Sequence, residues 1–227
     1  MMLPGDTRVL SDPETVAVEA CRLISAAARD AIRERQVFRL VLAGGSTPRR
    51  AYELLAATAQ DWGAWEIFWG DERCLPAADP ERNSRQAQDA WLGRVALLAS
   101  RIYPIPAERG SAPAAASYAL TIADRQPFDL VILGMGEDGH TASLFPGADE
   151  DDAAVVAVHA APKPPAERVS LGWRTLRAGR KQLVLVTGAG KAKALAAWRR
   201  GNDLPIARAV RDDACLLVDA ALRPIVA

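Results

Sequence analysis

A histidine and an aspartate lie two residues apart on a glycine-rich turn, and they are the clearest candidates for acid–base chemistry. Asp138 and His140 stand in the segment GEDGHTASLFPG, directly after the apolar run FDLVIL. An imidazole beside a carboxylate can take a proton from water near neutral pH, and the carboxylate can orient the ring. We interpret His140 as a general base and Asp138 as its orienting partner. The alternative for Asp138 is an Asx-type turn that closes the glycine loop.

The remaining histidine and the cysteines do not suggest a metal site. His159 lies in the apolar run AVVAVHAA without an acidic neighbour, which favours a structural role. Cys21, Cys74 and Cys215 are far apart and form no CxxC pair, as expected for a reducing compartment. We therefore expect no metal ion.

A second glycine-rich segment has the composition of a phosphate-binding loop. Gly44, Gly45, Ser46 and Thr47 follow the apolar run VFRLVLA, and Pro48 comes next. The free N–H groups and the positive dipole end of a helix that starts here would suit a phosphate. In the alternative interpretation, Ser46 or Thr47 caps the helix and the glycines only make the turn.

Two further segments resemble nucleotide-binding motifs without fulfilling them. Gly134–Gly139 matches GxGxxG, but a proline–glycine pair interrupts the helix that should follow, and the next strand carries no ribose-binding acid. The segment TGAGKAKAL resembles a Walker A loop, but Leu185 replaces its first glycine and Ala192 its magnesium-binding hydroxyl. Neither NAD nor a nucleoside triphosphate is expected, although Lys191 at a helix start can still hold a phosphate.

Composition and charge restrict the class of protein. The 227 residues are 50% hydrophobic and 25% charged, with 28 Lys+Arg against 28 Asp+Glu. Zero net charge disfavours binding to nucleic acid or to an anionic membrane, so an anion must be held by a local cluster of cations. No apolar run is long enough to span a membrane or to form a secretory leader. We expect one cytoplasmic domain over residues 1–227; its oligomeric state is open, and a monomer is compatible with the sequence.

Alternating strands and helices predict a three-layer α/β domain with a mostly parallel central sheet. Asp12 and Pro13 mark the start of a long first helix, and Pro48 the start of a second. The acidic run Asp149–Asp152 is expected to be a solvated turn. Strands are predicted at 7–10, 37–43, 65–69, 128–134, 153–159, 181–187 and 215–219, further helices at 84–92, 112–124 and 190–200, and a polar loop at 71–83.

Ligands of open α/β sheets bind outside the carboxyl ends of the strands. The strands VFRLVLA, WEIFW, FDLVIL and LVLV are each followed by one of the polar or glycine-rich loops. We therefore expect the loop residues to converge on one edge of the sheet.

The ordered motifs VLAGGSTPRRAYELL, IFWGDERCLP, ADPERNS, FDLVILGMGEDGHTASLFPG, RVSL and GAGKAKAL resemble the 6-phosphogluconolactonases of the glucosamine-6-phosphate deaminase/6-phosphogluconolactonase family. The resemblance covers nearly the whole chain, and GEDGHTASLFPG is its most specific part. It implies a fold shared with the deaminase, ribose-5-phosphate isomerase and CoA transferases. It also implies hydrolysis of a sugar-phosphate lactone without a cofactor.

The resemblance also assigns roles to individual residues. It implies His140 as the base, Arg73 and Lys191 as phosphate ligands, and Arg168 of RVSL as a further one. N–H groups of the glycine loop, at Gly136 and Gly139, would stabilise the oxyanion of the hydrolytic intermediate.

Two positions depart from the family pattern, and two rival functions follow from the same motifs. Arg82-Asn83 replaces a common Ser-Asn pair, and Gly172-Trp173 follows RVSL where a hydroxyl is common, so both are expected to reshape the pocket edge.

A deaminase or isomerase would instead use an acid such as Asp71 to move a carbon-bound proton, but the TASLFP continuation argues against it. A sugar-phosphate sensor on the same fold is the non-catalytic rival.

Overall fold

Parallel strands form the central sheet of the protein, as a computed structural model that describes residues 2–147 and 152–226 shows. The strands are β1 Asp6–Leu10, β2 Phe38–Leu42, β3 Trp65–Trp69, β4 Asp71–Arg73, β5 Leu130–Gly134, β6 Val155–Val158, β7 Arg168–Leu171, β8 Lys181–Val186 and β9 Cys215–Asp219. The helices are α1 Pro13–Arg35, α2 Ser46–Leu55, α3 Asn83–Ala90, α4 Ser111–Ile122, α5 Trp173–Arg177, α6 Ala192–Arg199, α7 Pro205–Ala209 and α8 Arg223–Val226. Of the acidic run predicted as a turn, residues 149–151 lie outside the described part.

The central sheet has the strand order β1-β9-β8-β5-β2-β3, and all its neighbouring strands are parallel. Its inner strands are apolar and buried; Leu130–Leu133, for example, are at most 4% exposed. Strands buried on both faces require layers on each side, which the helices supply. The predicted α/β architecture with a parallel central sheet is confirmed.

A second, antiparallel sheet was not predicted from the sequence. It has the order β4-β7-β6, and it begins one residue after β3, where Gly70 separates the two strands. The prediction of a loop over 71–83 is therefore wrong at its start, because Asp71–Arg73 form β4. A strand of three residues is too short to show the two-residue alternation by which strands are recognised.

The starts of the first two helices show one correct and one incorrect prediction. Asp12 caps α1 as expected, since its Oδ1 accepts the Thr15 N–H at 2.7 Å, and Pro13 is the first helical residue. Helix α2 begins at Ser46, two residues before Pro48. Its N-cap is Gly45, at φ 111°, and no side chain caps it. The alternative in which Ser46 or Thr47 caps this helix is therefore wrong.

Within the described residues, no helix combines the length and the apolar character that crossing a bilayer requires.

Replacing Asp12 with alanine should lower the free energy of unfolding by about 1 kcal/mol, since the cap satisfies a helix N–H that would otherwise lose its partner. Urea denaturation monitored by circular dichroism measures this change. Arg29→Ala, at an exposed position of the same helix, is the control and should change the value by less than about 0.5 kcal/mol. Equal effects of the two substitutions would contradict the capping role.

Candidate active site

A cleft of about 210 Å³ opens at the carboxyl ends of the central strands. Strands β2 and β5 are neighbours in the sheet, and the chain leaves them in opposite directions, to β3 on one side and β8 on the other. Such a switch point leaves a crevice between the loops that follow the two strands. The predicted site residues that line it are Gly44, Gly45, Arg73, Gly136, His140, Arg168 and Lys191.

His140 is held by Asp138 in a defined orientation. Asp138 Oδ1 lies 2.5 Å from His140 Nδ1 and also accepts the His140 backbone N–H at 3.2 Å. The second contact is an Asx-type turn, so the same oxygen shapes the loop and orients the ring. A carboxylate acceptor at Nδ1 assigns the proton of the neutral ring to that nitrogen. The lone pair of Nε2 is then the one that can accept a proton.

The ring of His140 packs between a glycine and an aromatic side chain. A Cβ on Gly136 would come within 2.0 Å of His140 Nδ1, so the backbone approach depends on glycine at this position. On another side, the ring centroids of His140 and Phe145 are 4.7 Å apart. These contacts leave 18% of the His140 side chain exposed. The imidazole is thus fixed in one place at the edge of the cleft.

Burial sets the protonation state of His140 more strongly than its carboxylate partner does. Burial lowers the pKa of His140 below its ordinary value, while the hydrogen bond and charge of Asp138 act to raise it. The charge of Lys163 also lowers this pKa, and that of Asp71 raises it. The ring is therefore neutral at neutral pH, as a general base requires.

Two arginines of the second sheet lie opposite one another in the cleft. Arg73 on β4 and Arg168 on β7 are register partners of the antiparallel pair, so their side chains project on the same face. Like charges directly opposite each other are unfavourable. Burial and the charge of Arg73 lower the pKa of the Arg168 guanidinium, and Asp71 opposes this. The antiparallel sheet thereby concentrates positive charge at one end of the cleft.

The three cations of the cleft differ in how they are held. Arg168 is 6% exposed and donates to the backbone oxygens of residues 163, 164 and 165, each at 3.0 Å. Arg73 donates to the Glu81 backbone oxygen, and its buried Nε has no acceptor within the described part of the chain. Lys191 ends a short 3-10 turn, and no ion pair involves it among the described residues. Donors of Arg73 and Lys191 thus remain available to an anion.

A hydrogen-bonded network that was not predicted connects two loops of the cleft. One is the glycine loop at Gly44 and Gly45, and the other is the histidine loop, which carries His140. Asn83 Nδ2 donates to Asp71 Oδ1 at 3.1 Å, and Ser143 Oγ donates to Asp71 Oδ2 at 2.6 Å. A Cβ on Gly44 would come within 2.2 Å of Asn83 Oδ1, so the glycine makes room for this amide. Asp71 stands in the DER motif just after a strand and Asn83 in the ADPERNS motif, but neither motif indicated that the two side chains bond each other.

Four predicted site residues lie outside the lining of the cleft: Ser46, Thr47, Asp138 and Gly139. Ser46 is exposed, and the Thr47 hydroxyl is bonded to Thr187 Oγ1 at 2.7 Å. The N–H groups of Gly136 and Gly139 donate within the turn, to the backbone oxygens of His140 and Gly136. The role of these two N–H groups in stabilising an oxyanion stays a prediction.

The second histidine has an acidic partner that the sequence did not reveal. His159 Nδ1 lies 3.1 Å from Glu167 Oε1 across the hairpin between β6 and β7, and 3.1 Å from Ser111 Oγ. Serine and carboxylate both contact the same ring nitrogen, so the three groups are not arranged as a catalytic triad, which uses both nitrogens. His159 does not line the cleft.

The two departures from the family pattern do not reach the cleft lining. Arg82 is 2% exposed and bonds Glu108 Oε2 at 2.8 Å, facing a different cavity. A Cβ on Gly172 would come within 2.0 Å of the Ala153 backbone oxygen, and Trp173 borders a third cavity. Arg82 and Trp173 therefore lie outside the lining of the active-site cleft, and their effect on its edge stays a prediction.

Among residues 2–147 and 152–226, no group of three or more His, Cys, Asp or Glu side chains is arranged to hold a metal ion.

The fold and the site together define an α/β protein with an oriented histidine beside a cluster of cations. Residues 11–218 match the family described as glucosamine-6-phosphate isomerases/6-phosphogluconolactonase, and the chain belongs to this family. It is 38% identical over 209 residues to a 6-phosphogluconolactonase of Streptomyces coelicolor, an alignment that covers 82% of this chain and 79% of the relative.

Solved structures show the same fold. A 6-phosphogluconolactonase from Thermotoga maritima superposes with a TM-score of 0.87 at 26% identity, covering 94% of this chain and 98% of that one. A monomeric glucosamine-6-phosphate deaminase superposes with a TM-score of 0.84 at 21% identity, covering 97% of this chain and 99% of the other. Lactonase and deaminase thus share this fold, so the fold by itself does not distinguish the two reactions.

If His140 acts as a neutral base, kcat/KM should rise with pH through the pKa of His140 and then level off, with a midpoint below the ordinary histidine value of about 6.5. Asp138→Asn removes the charge that raises this pKa, so the midpoint should move to still lower pH. The plateau should fall by about one to two orders of magnitude, because the ring loses its orienting carboxylate.

The pH–rate profiles of both enzymes and NMR titration of the imidazole measure this. His159→Ala identifies the second imidazole signal. A midpoint that stays in place, or moves to higher pH, in Asp138→Asn would contradict the electrostatic contact between the two side chains.

Proposed function

We propose that this chain hydrolyses 6-phospho-D-glucono-1,5-lactone to 6-phospho-D-gluconate, the lactonase step of the oxidative pentose phosphate pathway. The observation that supports this most directly is the pairing, in one cleft, of an oriented neutral histidine with Arg73, Arg168 and Lys191. The base meets the needs of ester hydrolysis, and the cations meet those of a phosphate.

The phosphate of the substrate would bind among the cations. Within the described residues, Arg73 Nε has no acceptor and Lys191 makes no ion pair, while Arg168, held by three carbonyl groups, adds fixed positive charge. Gly44 and Gly45 line the cleft at the amino end of α2, where the helix dipole also favours an anion. Because the whole chain has zero net charge, this local cluster must provide the attraction.

With the phosphate bound, the lactone carbonyl would lie beside His140. His140 Nε2 takes a proton from water while the water oxygen forms a bond to C1. The ring oxygen then leaves C1 and receives that proton from the imidazolium, so one residue serves both steps. Asp138 stabilises the charged ring between the two transfers. Stabilisation of the oxyanion by the N–H groups of Gly136 and Gly139 would require both groups to leave the backbone oxygens they now bond.

We also propose that residues 1–227 act as one lactonase domain in the cytoplasm. A continuous hydrophobic core that includes residues from α1 to the last strand β9 supports a single domain. Cys21, Cys74 and Cys215 are unpaired, as is usual in a reducing compartment.

The test generates the lactone from glucose 6-phosphate with its dehydrogenase and follows its disappearance with and without this protein. We expect clear acceleration that persists in the presence of a chelator, because the proposed chemistry uses only protein side chains. Loss of activity with a chelator and its return with added zinc or magnesium would contradict this mechanism.

The rival reaction is deamination of an amino-sugar phosphate, which the shared fold and the buried carboxylate of Asp71 in the cleft keep open. An assay for ammonia released from glucosamine 6-phosphate distinguishes the two. Ammonia release comparable in rate to lactone hydrolysis would favour the deaminase, and we expect none above background.

A further inference from the structure

A buried carboxylate at the end of β9 is bonded to the loop that carries Lys191. Asp219 is 4% exposed, and its Oδ2 accepts the backbone N–H of Gly188 at 3.0 Å. The two residues are 31 positions apart in the chain, so this is a tertiary contact between the ends of neighbouring strands β8 and β9. It lies beside the cleft rather than in its lining.

Gly188 is also hydrogen-bonded to the backbone of Lys191. Its carbonyl oxygen accepts the Lys191 backbone N–H at 3.1 Å and thereby closes the 3-10 turn Ala189–Lys191. Gly188 has a φ of 91°, a conformation that glycine adopts readily. One peptide segment is therefore bonded to Asp219 through its N–H and to the backbone of Lys191 through its carbonyl. Fixing Gly188 fixes the direction in which the lysine leaves the turn.

A carboxylate at this position has no other evident use. The preceding residues of β9, Leu216, Leu217 and Val218, are apolar and fully buried. The side chain does not cap the 3-10 turn that follows it, and no ion pair involves it in the described part of the chain. Its Oδ1 is buried without a hydrogen-bond partner there, which is costly. Burying Asp219 with an unpartnered Oδ1 is costly, and the hydrogen bond from the Gly188 N–H best explains why an acid stands here.

We infer that Asp219 is a positioning residue that fixes the Gly188–Lys191 turn, so that the Lys191 ammonium is presented to the phosphate of the substrate. The inference rests on the proposed function for its substrate. A second bond supports the same corner, since Thr187, next to Gly188, is bonded through its hydroxyl to Thr47 of α2. The lysine turn is thus tied both to β9 and to the helix whose amino end lines the cleft.

The test is a double-mutant cycle between Asp219 and Lys191. Lys191→Ala should lower kcat/KM for the phosphorylated lactone by about 10- to 100-fold, the effect of one lost charge-assisted contact. Asp219→Ala should raise KM for this substrate by about 10-fold and leave kcat within about twofold, because it acts through the lysine. Added to Lys191→Ala, it should have no further effect. Asp219→Ala alone should not change the turnover of unphosphorylated gluconolactone.

A graded substitution separates positioning from a general loss of structure. Asp219→Asn keeps an oxygen that can accept the Gly188 N–H but loses the charge, so KM should rise by only about threefold. If Asp219→Ala does not fold, the same cycle is run with Asp219→Asn. Asp129→Ala is the matched control, because Asp129 is also buried and accepts a backbone N–H, from Arg39, at the opposite end of the sheet. It should lower stability and leave the preference for the phosphorylated substrate intact.

The inference would be overturned if the losses of kcat/KM caused by Asp219→Ala and Lys191→Ala multiply in the double variant. It would also be overturned if Asp219→Ala lowers activity equally toward the phosphorylated and the unphosphorylated lactone. Calorimetric titration with inorganic phosphate gives the same cycle without turnover, so it tests Asp219 even if the wild-type protein hydrolyses no lactone. A wild-type protein that hydrolyses no lactone would contradict the proposed function. Multiplicative effects in an active enzyme would contradict only the role of Asp219.

Discussion

The register between β4 and β7 places two arginines opposite each other, and this pair of like charges sets the character of one end of the cleft. Arg73 and Arg168 are partners across the antiparallel sheet, where like charges repel. Three backbone carbonyls hold Arg168, and the carboxylate of Asp71 lies on the same face of β4 as Arg73. A bound dianion would relieve the remaining repulsion. The same register thus accounts for the concentration of positive charge at this end of the cleft.

The end of the cleft that holds His140 depends instead on close packing against glycine. His140 lies where Gly136 has no side chain, and Phe145 covers another side of the ring. This burial lowers the pKa of the imidazole, and Asp138 raises it only in part. Asp71 connects the two ends, because it bonds Asn83 beside the glycine loop and Ser143 on the histidine loop. His140 and the cations of the cleft are therefore held at a fixed separation by packing and hydrogen bonds.

Local signals in the sequence predicted the elements but not the contacts between distant segments. WEIFW was predicted as a strand at its true limits, and Asp12 as the cap of α1, because both depend on near neighbours. The antiparallel sheet was missed because β4 is too short to show a pattern, and with it the pairing of Arg73 and Arg168. Nor did the sequence show that the N–H groups of Gly136 and Gly139 bond to backbone oxygens of the turn itself. Asn83 reaches the cleft only through a tertiary contact that no local pattern records.

The central claim is that His140 moves the proton and the cations bind the phosphate, so that chemistry and binding are separable. The most direct test measures kcat for His140→Ala together with calorimetric affinity for 6-phosphogluconate, with His159→Ala as the matched histidine control. The account predicts a fall in kcat of about 10²- to 10⁴-fold for His140→Ala, with the affinity nearly unchanged and little effect of His159→Ala. A kcat for His140→Ala within a few-fold of the wild type, or equal losses in the two variants, would contradict it.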